Sequence, residues 1–153
     1  MKLSTKGRYA MVALADIALQ GDAGLVSLSD IAERQSISLP YLEQLFVKLR
    51  RAELVSSVRG PGGGYRLSRA PSEIRVVDVL SAVDETVDAL QKGAGASGGA
   101  SGSRAQSLTN RLWEGLSAHV YVFLHQTRLS DVIDNELAPC PAVPHLFAVV
   151  DEG

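Results

Sequence analysis

The sequence predicts a mainly α (α+β) fold, in which short helices surround one small β-hairpin and a long helix follows. Three observations predict it. Apolar residues recur at i, i+3, i+4, i+7 in several separate stretches. Residues 54–59 and 65–67 are the clearest strand-like runs, and a glycine cluster joins them. The charge is divided: residues 1–75 carry eleven Lys and Arg against seven Asp and Glu, residues 76–153 carry four against ten, and the whole chain is −2. A length of 153 residues suits one small domain with a helical extension.

The elements follow in order. Residues 1–7 form a short polar arm with Lys2 and Lys6, and Arg8 comes next. Ser4 or Thr5 can cap the following helix, whose N-terminus is itself suited to a phosphate. Residues 9–20 read as that helix, with Ala10, Ala13, Leu14 and Ile17 at core spacing, and residues 21–24 end it. Residues 25–27 add a short extended piece. Ser27 and Asp30 make a capping box for a second helix, in which Leu28, Ile31, Ala32 and Gln35 follow at helical spacing. Ser36, Ile37 and Ser38 make a turn.

Pro40 suits the first turn of a third helix, where its missing N–H has no partner to lose. It also pushes Leu39 away from α geometry, so the cap is Ser38 or Leu39. This helix runs from about residue 40 to 52. Leu42, Leu45, Phe46 and Leu49 form its core stripe. Pro40, Tyr41, Gln44, Val47, Lys48 and Arg51 occupy the opposite face. Beyond it come the two strands and the turn Gly60-Pro61-Gly62-Gly63-Gly64, which calls for positive φ. Two helices joined by a tight turn, then a hairpin, is the order of a winged helix-turn-helix.

Such a third helix enters a DNA major groove with its N-terminal residues on base edges. Gln44 can pair bidentately with adenine, and Tyr41 can donate to a phosphate or pack on a thymine methyl. Glu43 either accepts from a cytosine amine or repels phosphate, and so tunes which site is bound. Arg59, at the hairpin tip, can enter a minor groove. Lys48, Arg50, Arg51, Arg59, Arg66 and Arg69 crowd into the hairpin and the end of the third helix, a footprint suited to phosphate neutralisation. The candidate DNA-binding set is Lys6, Ser38, Pro40, Tyr41, Glu43, Gln44, Lys48, Arg51 and Arg59. A phosphate-cradling glycine loop is the competing reading, but no Gly-Lys-Ser/Thr follows and no helix opens behind it.

After the hairpin, Ala70 and Pro71 break the chain. Residues 74–83 read as a short helix with Val76, Val79, Leu80 and Val83 inward. Residues 91–106, QKGAGASGGASGSRAQ, are too rich in glycine, alanine and serine to bury a core and read as a flexible loop. Residues 108–124 are the longest helical pattern. Leu112, Trp113, Leu116, Val120, Phe123 and Leu124 make a stripe too apolar to leave in water, which packing against a twin helix explains. A last helix spans 129–137, with Ser130 as a candidate cap, and 138–153 is a proline-containing tail with Cys140 and His145. The organisation expected is therefore a DNA-binding domain at 1–75, a connecting helix at 76–90, a loop at 91–107, dimerisation helices at 108–137 and a tail at 138–153. No apolar run reaches the ~20 residues of a membrane span and no signal-peptide core opens the chain, so a cytoplasmic location is expected.

LSTKGRYA near the start, then SLPYLEQLF, then LVSSVRGPGGGY together resemble the IscR family of winged-helix transcriptional regulators. The resemblance covers residues 1–137. It implies a homodimer that binds double-stranded DNA and regulates iron–sulfur cluster assembly genes. It also implies a 2Fe–2S cluster held by three cysteines and one histidine. Matched on Leu108, Thr109 and Trp113, the last of those cysteines falls at Ser107 and the histidine at Asn110. A hydroxyl and an amide are poor ligands for iron.

Cys140 is the chain's single thiol; His119, His125 and His145 are its imidazoles. Four readings of Cys140 stay open: a surface thiol, an intermolecular disulfide, a labile haem ligand in a Cys-Pro pair, or the metal ligand of a 2Fe–2S cluster with an atypical donor set shared across a dimer. The function expected is a homodimeric, sequence-specific DNA-binding regulator, a repressor, of iron–sulfur or iron-responsive genes, acting on a palindromic operator. The alternative is a winged-helix module that binds a protein partner. An enzyme is not expected, because no catalytic pair or nucleophile–base arrangement is readable.

Overall fold

Leu42, Leu45, Phe46 and Leu49 lie on one face of a helix and are at most 3% exposed, and most of the remaining core residues pack around them. The computed structural model describes residues 4–20, 24–85 and 103–137. Lys2, residues 21–23 expected to end the first helix, residues 86–90 of the expected connecting helix, most of the expected glycine loop, and the expected tail with Cys140 and His145 lie outside the described residues.

The elements run α1 (Thr5–Leu19), α2 (Leu28–Gln35), α3 (Leu39–Arg51), β1 (Val55–Val58), β2 (Gly64–Leu67), a 3-10 turn (Pro71–Glu73), α4 (Val76–Ala82), α5 (Arg104–Gln126) and α6 (Leu129–Ile133). Helix α1 begins earlier than its apolar pattern suggests. Ser4 holds the cap position without a side-chain cap bond, and the Ser4 and Gly7 amides donate to a distant carboxylate described below. Ser27 caps α2, accepting from the Asp30 amide at 3.1 Å, but among the described residues Asp30 does not reach back, so only half of the expected box forms. Ser36 turns the chain at φ 54°, and Ser38 takes the cap position of α3 with no side-chain cap bond.

β1 and β2 pair antiparallel, Val55 opposite Leu67 and Val58 opposite Gly64. Val26 joins them as a third, single-residue rung: its N–H donates to Tyr65 O at 2.9 Å and its carbonyl accepts from Tyr65 N at 2.8 Å. Gly60 and Gly62 take the positive φ expected of the turn, whereas Gly63 and Gly64 do not. Tyr65 packs edge-on against Phe46 with centroids 4.8 Å apart, which seats the hairpin on α3.

The C-terminal half departs from expectation at its edges. Helix α5 starts at Arg104, because Ser103 and Gln106 form a reciprocal capping box, so Ser107 lies within the helix and not in the loop. Helix α6 is short and its cap position is Arg128, whose N–H donates to Asp131 at 2.9 Å; Ser130 is not the cap. Leu129 is fully buried in the same core as α1 and α3. Residues 74–76 and 127–129 are stitched by Val76 N to Thr127 O at 2.9 Å and Leu129 N to Ile74 O at 2.8 Å. Ile74 is buried in this stitch and not in α4.

Candidate nucleic-acid interface

Burial of the Leu42–Leu49 stripe turns the opposite face of α3 outward. Ser38, Pro40, Glu43, Gln44, Val47 and Arg51 are exposed, and Tyr41 and Lys48 are half-buried. Arg59 is exposed at the start of the hairpin turn. A helix with a free polar N-terminal half, beside a hairpin whose tip carries a cation, is the geometry by which this motif meets a duplex.

Two members of the set are engaged within the protein. The Tyr41 hydroxyl lies 3.5 Å from Thr5 Oγ1, and its ring meets Tyr9 edge-on at 5.7 Å. Tyr41 therefore fixes α3 against α1 as well as facing outward. Lys48 Nζ donates to Asp84 Oδ2 at 2.8 Å, and this bond holds the Asp84 carboxyl below its usual value. Lys6 is half-buried in the first turn of α1 and does not belong to a free arm.

The amino end of α1 is occupied. Glu85 accepts from Ser4 N at 3.3 Å and Gly7 N at 3.2 Å, and from the Ser4 hydroxyl. Burial pushes the Glu85 carboxyl up, but the hydrogen bonds from Ser4 and Gly7 outweigh it and leave it below the ordinary value. Neither Asp84 nor Glu85 was signalled by sequence, since each partner lies 36 to 81 residues away and no local pattern marks it.

The implied cluster can be tested against the residues present. Ser107 and Asn110 stand near the start of α5, and Asn110 Oδ1 is buried with no hydrogen-bond partner among the described residues. A hydroxyl and a lone amide oxygen do not replace a thiolate and an imidazole. No group of three or more His, Cys, Asp or Glu able to hold a metal exists among the described residues. The three-cysteine, one-histidine set does not fit this chain.

Helix α5 buries none of its 23 residues. Its Asn110, Ser117 and Leu124 are half-buried and share one face, whereas Leu108, Leu112, Leu116 and Phe123 are exposed on the other side. Leu112 is 60% exposed and Trp113 41%. No helix among the described residues is long and apolar enough to cross a membrane.

The chain is similar to known regulators over almost its whole length. It is 74% identical over 154 residues to the HTH-type transcriptional regulator IscR of Cereibacter sphaeroides, covering 99% of each chain. Among solved structures it resembles IscR of T. potens, with a TM-score of 0.69, 35% identity and 96% of each chain covered. It also resembles CymR, the global cysteine regulator of B. subtilis, with a TM-score of 0.74, 31% identity, and 88% of this chain and 98% of that chain covered. The chain is thus that of a DNA-binding transcription regulator. Residues 3–135 match the Rrf2 model, described as an iron-dependent transcriptional regulator, and the chain belongs to that family.

Proposed function

We propose that this regulator is a homodimeric repressor that reads a palindromic operator of iron–sulfur cluster assembly or iron-responsive genes, acts in the cytoplasm and catalyses no reaction. The observation that carries the reading is the exposed N-terminal face of α3 beside Arg59. Pro40, Glu43 and Gln44 reach base edges, Ser38, Tyr41, Lys48 and Arg51 meet phosphates, and Lys6 adds charge beside them. The exposed apolar side of α5 supports pairing with a second copy, which sets two such faces roughly one DNA turn apart, ~34–36 Å, or a multiple of it. The experiment is operator selection from random duplex by the purified protein at ~150 mM salt, where attraction by charge alone is reduced. Enrichment of a palindrome that blocks transcription in vitro is the expected result. Equal affinity for every sequence would overturn the reading.

Iron dependence belongs to the same proposal, with a donor set unlike the family's. Cys140 is the chain's single thiol, so a cluster here takes an atypical set and at most one cysteine from each protomer. An anaerobic absorption spectrum with iron and sulfide assays separates the cases. Visible bands lost in Cys140→Ala make this thiol a ligand, and absence of bands in both proteins makes DNA binding independent of a cluster.

A further inference from the structure

Asp84 and Glu85 are adjacent in sequence and between them engage two features of the DNA-facing surface. Asp84 holds Lys48, which stands on α3 in one row with Tyr41 and Gln44. Glu85 holds the first amides of α1 through Ser4 and Gly7. The two points are joined by the contacts of Thr5 and Tyr9 with Tyr41, so they belong to one continuous surface. Lys6 adds its charge to both, since its field bears on each carboxylate. What these carboxylates supply is what a DNA phosphate supplies: an anionic oxygen for a lysine, and an acceptor for free amides at a helix N-terminus.

The placement is built into the backbone. Asp84 takes a left-handed conformation at φ 58°, which turns the chain out of α4. Val83 before it is fully buried, and Glu85 N donates to Leu80 O at 2.9 Å. The dipeptide is thus anchored on both sides while its carboxylates reach α3 and α1. Both carboxyls lie below their ordinary values and are charged at neutral pH.

We propose that Asp84, with Glu85 beside it, is an internal competitor for the DNA backbone, withholding Lys48 and the amino end of α1 from phosphate and so setting the affinity of the α3 surface. The proposal rests on the reading that α3 meets DNA. The side chains of Lys48 and Asp84 are 38% and 73% exposed. An ion pair so open to water holds weakly and is displaced readily. It therefore lowers affinity by a set amount without preventing binding, which keeps the protein responsive to operator quality.

The test uses the full chain with Asp84→Asn, Lys48→Met and the double variant. Asparagine tolerates the left-handed turn and keeps the size of the side chain, so the fold is preserved. Binding is measured on the selected operator and on random duplex across a salt series. Asp84→Asn is expected to bind about threefold tighter at ~150 mM salt, with a steeper salt slope, the increase staying below about 0.9, the value of one whole phosphate contact. Lys48→Met should weaken binding in both backgrounds, and about threefold more in the Asp84→Asn one. Glu85→Gln should also tighten binding. Unchanged or weaker binding by Asp84→Asn, or an equal cost of Lys48→Met in both backgrounds, overturns the proposal. A natural chain that still prefers its operator then leaves the DNA-binding reading standing, whereas loss of operator preference in the natural chain removes that reading itself.

Discussion

Arg34 grips Asp16 across the α1–α2 boundary with two bonds, Nη2 to Oδ1 at 2.7 Å and Nε to Oδ2 at 3.0 Å, and Gln35 Nε2 adds a third at 2.8 Å. The Asp16 side chain is only 2% exposed, so its charge depends on these partners. Asp16→Ala is expected to destabilise the protein by about 2–3 kcal/mol, because three donors lose their acceptor. Urea unfolding checks it. The Arg34 hydrogen bond leads in holding the carboxyl below 3.8, against burial, which raises it. A group depressed on folding contributes its stability above the unfolded value and loses it as pH falls through the folded one. The natural chain should therefore lose stability below about pH 4, and Asp16→Asn should show a flatter acid limb over that range.

Gln44 is exposed on the N-terminal half of α3. Gln44→Ala should relax base preference at one operator position by ~1–3 kcal/mol, read by competition among single-base variants of the operator. Arg59→Ala should instead weaken binding most at sites with a narrow central minor groove. Equal loss on all sequences would contradict both roles.

Gly64 opens β2 where the hairpin meets residue 26. A Cβ there would stand 2.7 Å from the Val26 carbonyl oxygen and 3.2 Å from Ser27 N. These are backbone atoms of a paired rung and cannot give way separately. Gly64→Ala should part Val26 from Tyr65 at a cost of about 2 kcal/mol and loosen the hairpin. Faster hydrogen exchange at the Val26 and Tyr65 amides is the expected signal, with helical circular dichroism retained.

Leu112 lies on the exposed side of α5, opposite the half-buried Asn110, Ser117 and Leu124. Leu112→Asp places a charge in the proposed helix–helix seam. Sedimentation should then show a monomer, and operator binding should weaken by ~100-fold as two linked half-site contacts become separate events.

Local signals made most of the fold legible. Pro40 located the start of α3, and the i, i+3, i+4, i+7 rows of α1, α3 and α4 named the residues that are now buried. Gly60 and Gly62 marked the turn of the hairpin. The outward residues of α3 followed from the same periodicity, since a core stripe fixes its opposite face. Polar contacts across long stretches of chain were not legible. Asp16 reads in sequence as one acid in an apolar helix, and only the approach of α2 gives it partners. Thr5 begins α1 because Glu85 meets the amides near it, a condition that no window around Thr5 contains. The early start of α5 is different: Ser103 and Gln106 form a box that was present in the sequence but obscured by the glycine-rich composition around it.

The stitch between residues 74–76 and 127–129 makes α5 a pylon clamped at its foot. Arg75 Nη1 to His125 Nε2, 2.9 Å apart, adds a side-chain brace at the same end. Above the clamp rise 23 helical residues, a shaft of about 34 Å at 1.5 Å per residue. On such a lever arm a tilt of only about 5° at the foot carries the far end through about 3 Å, nearly one base-pair step. In the proposed dimer, small changes at a few backbone bonds would thereby be magnified into the distance between the two α3 faces, and the ruler for operator spacing would lie at a joint remote from every base it measures.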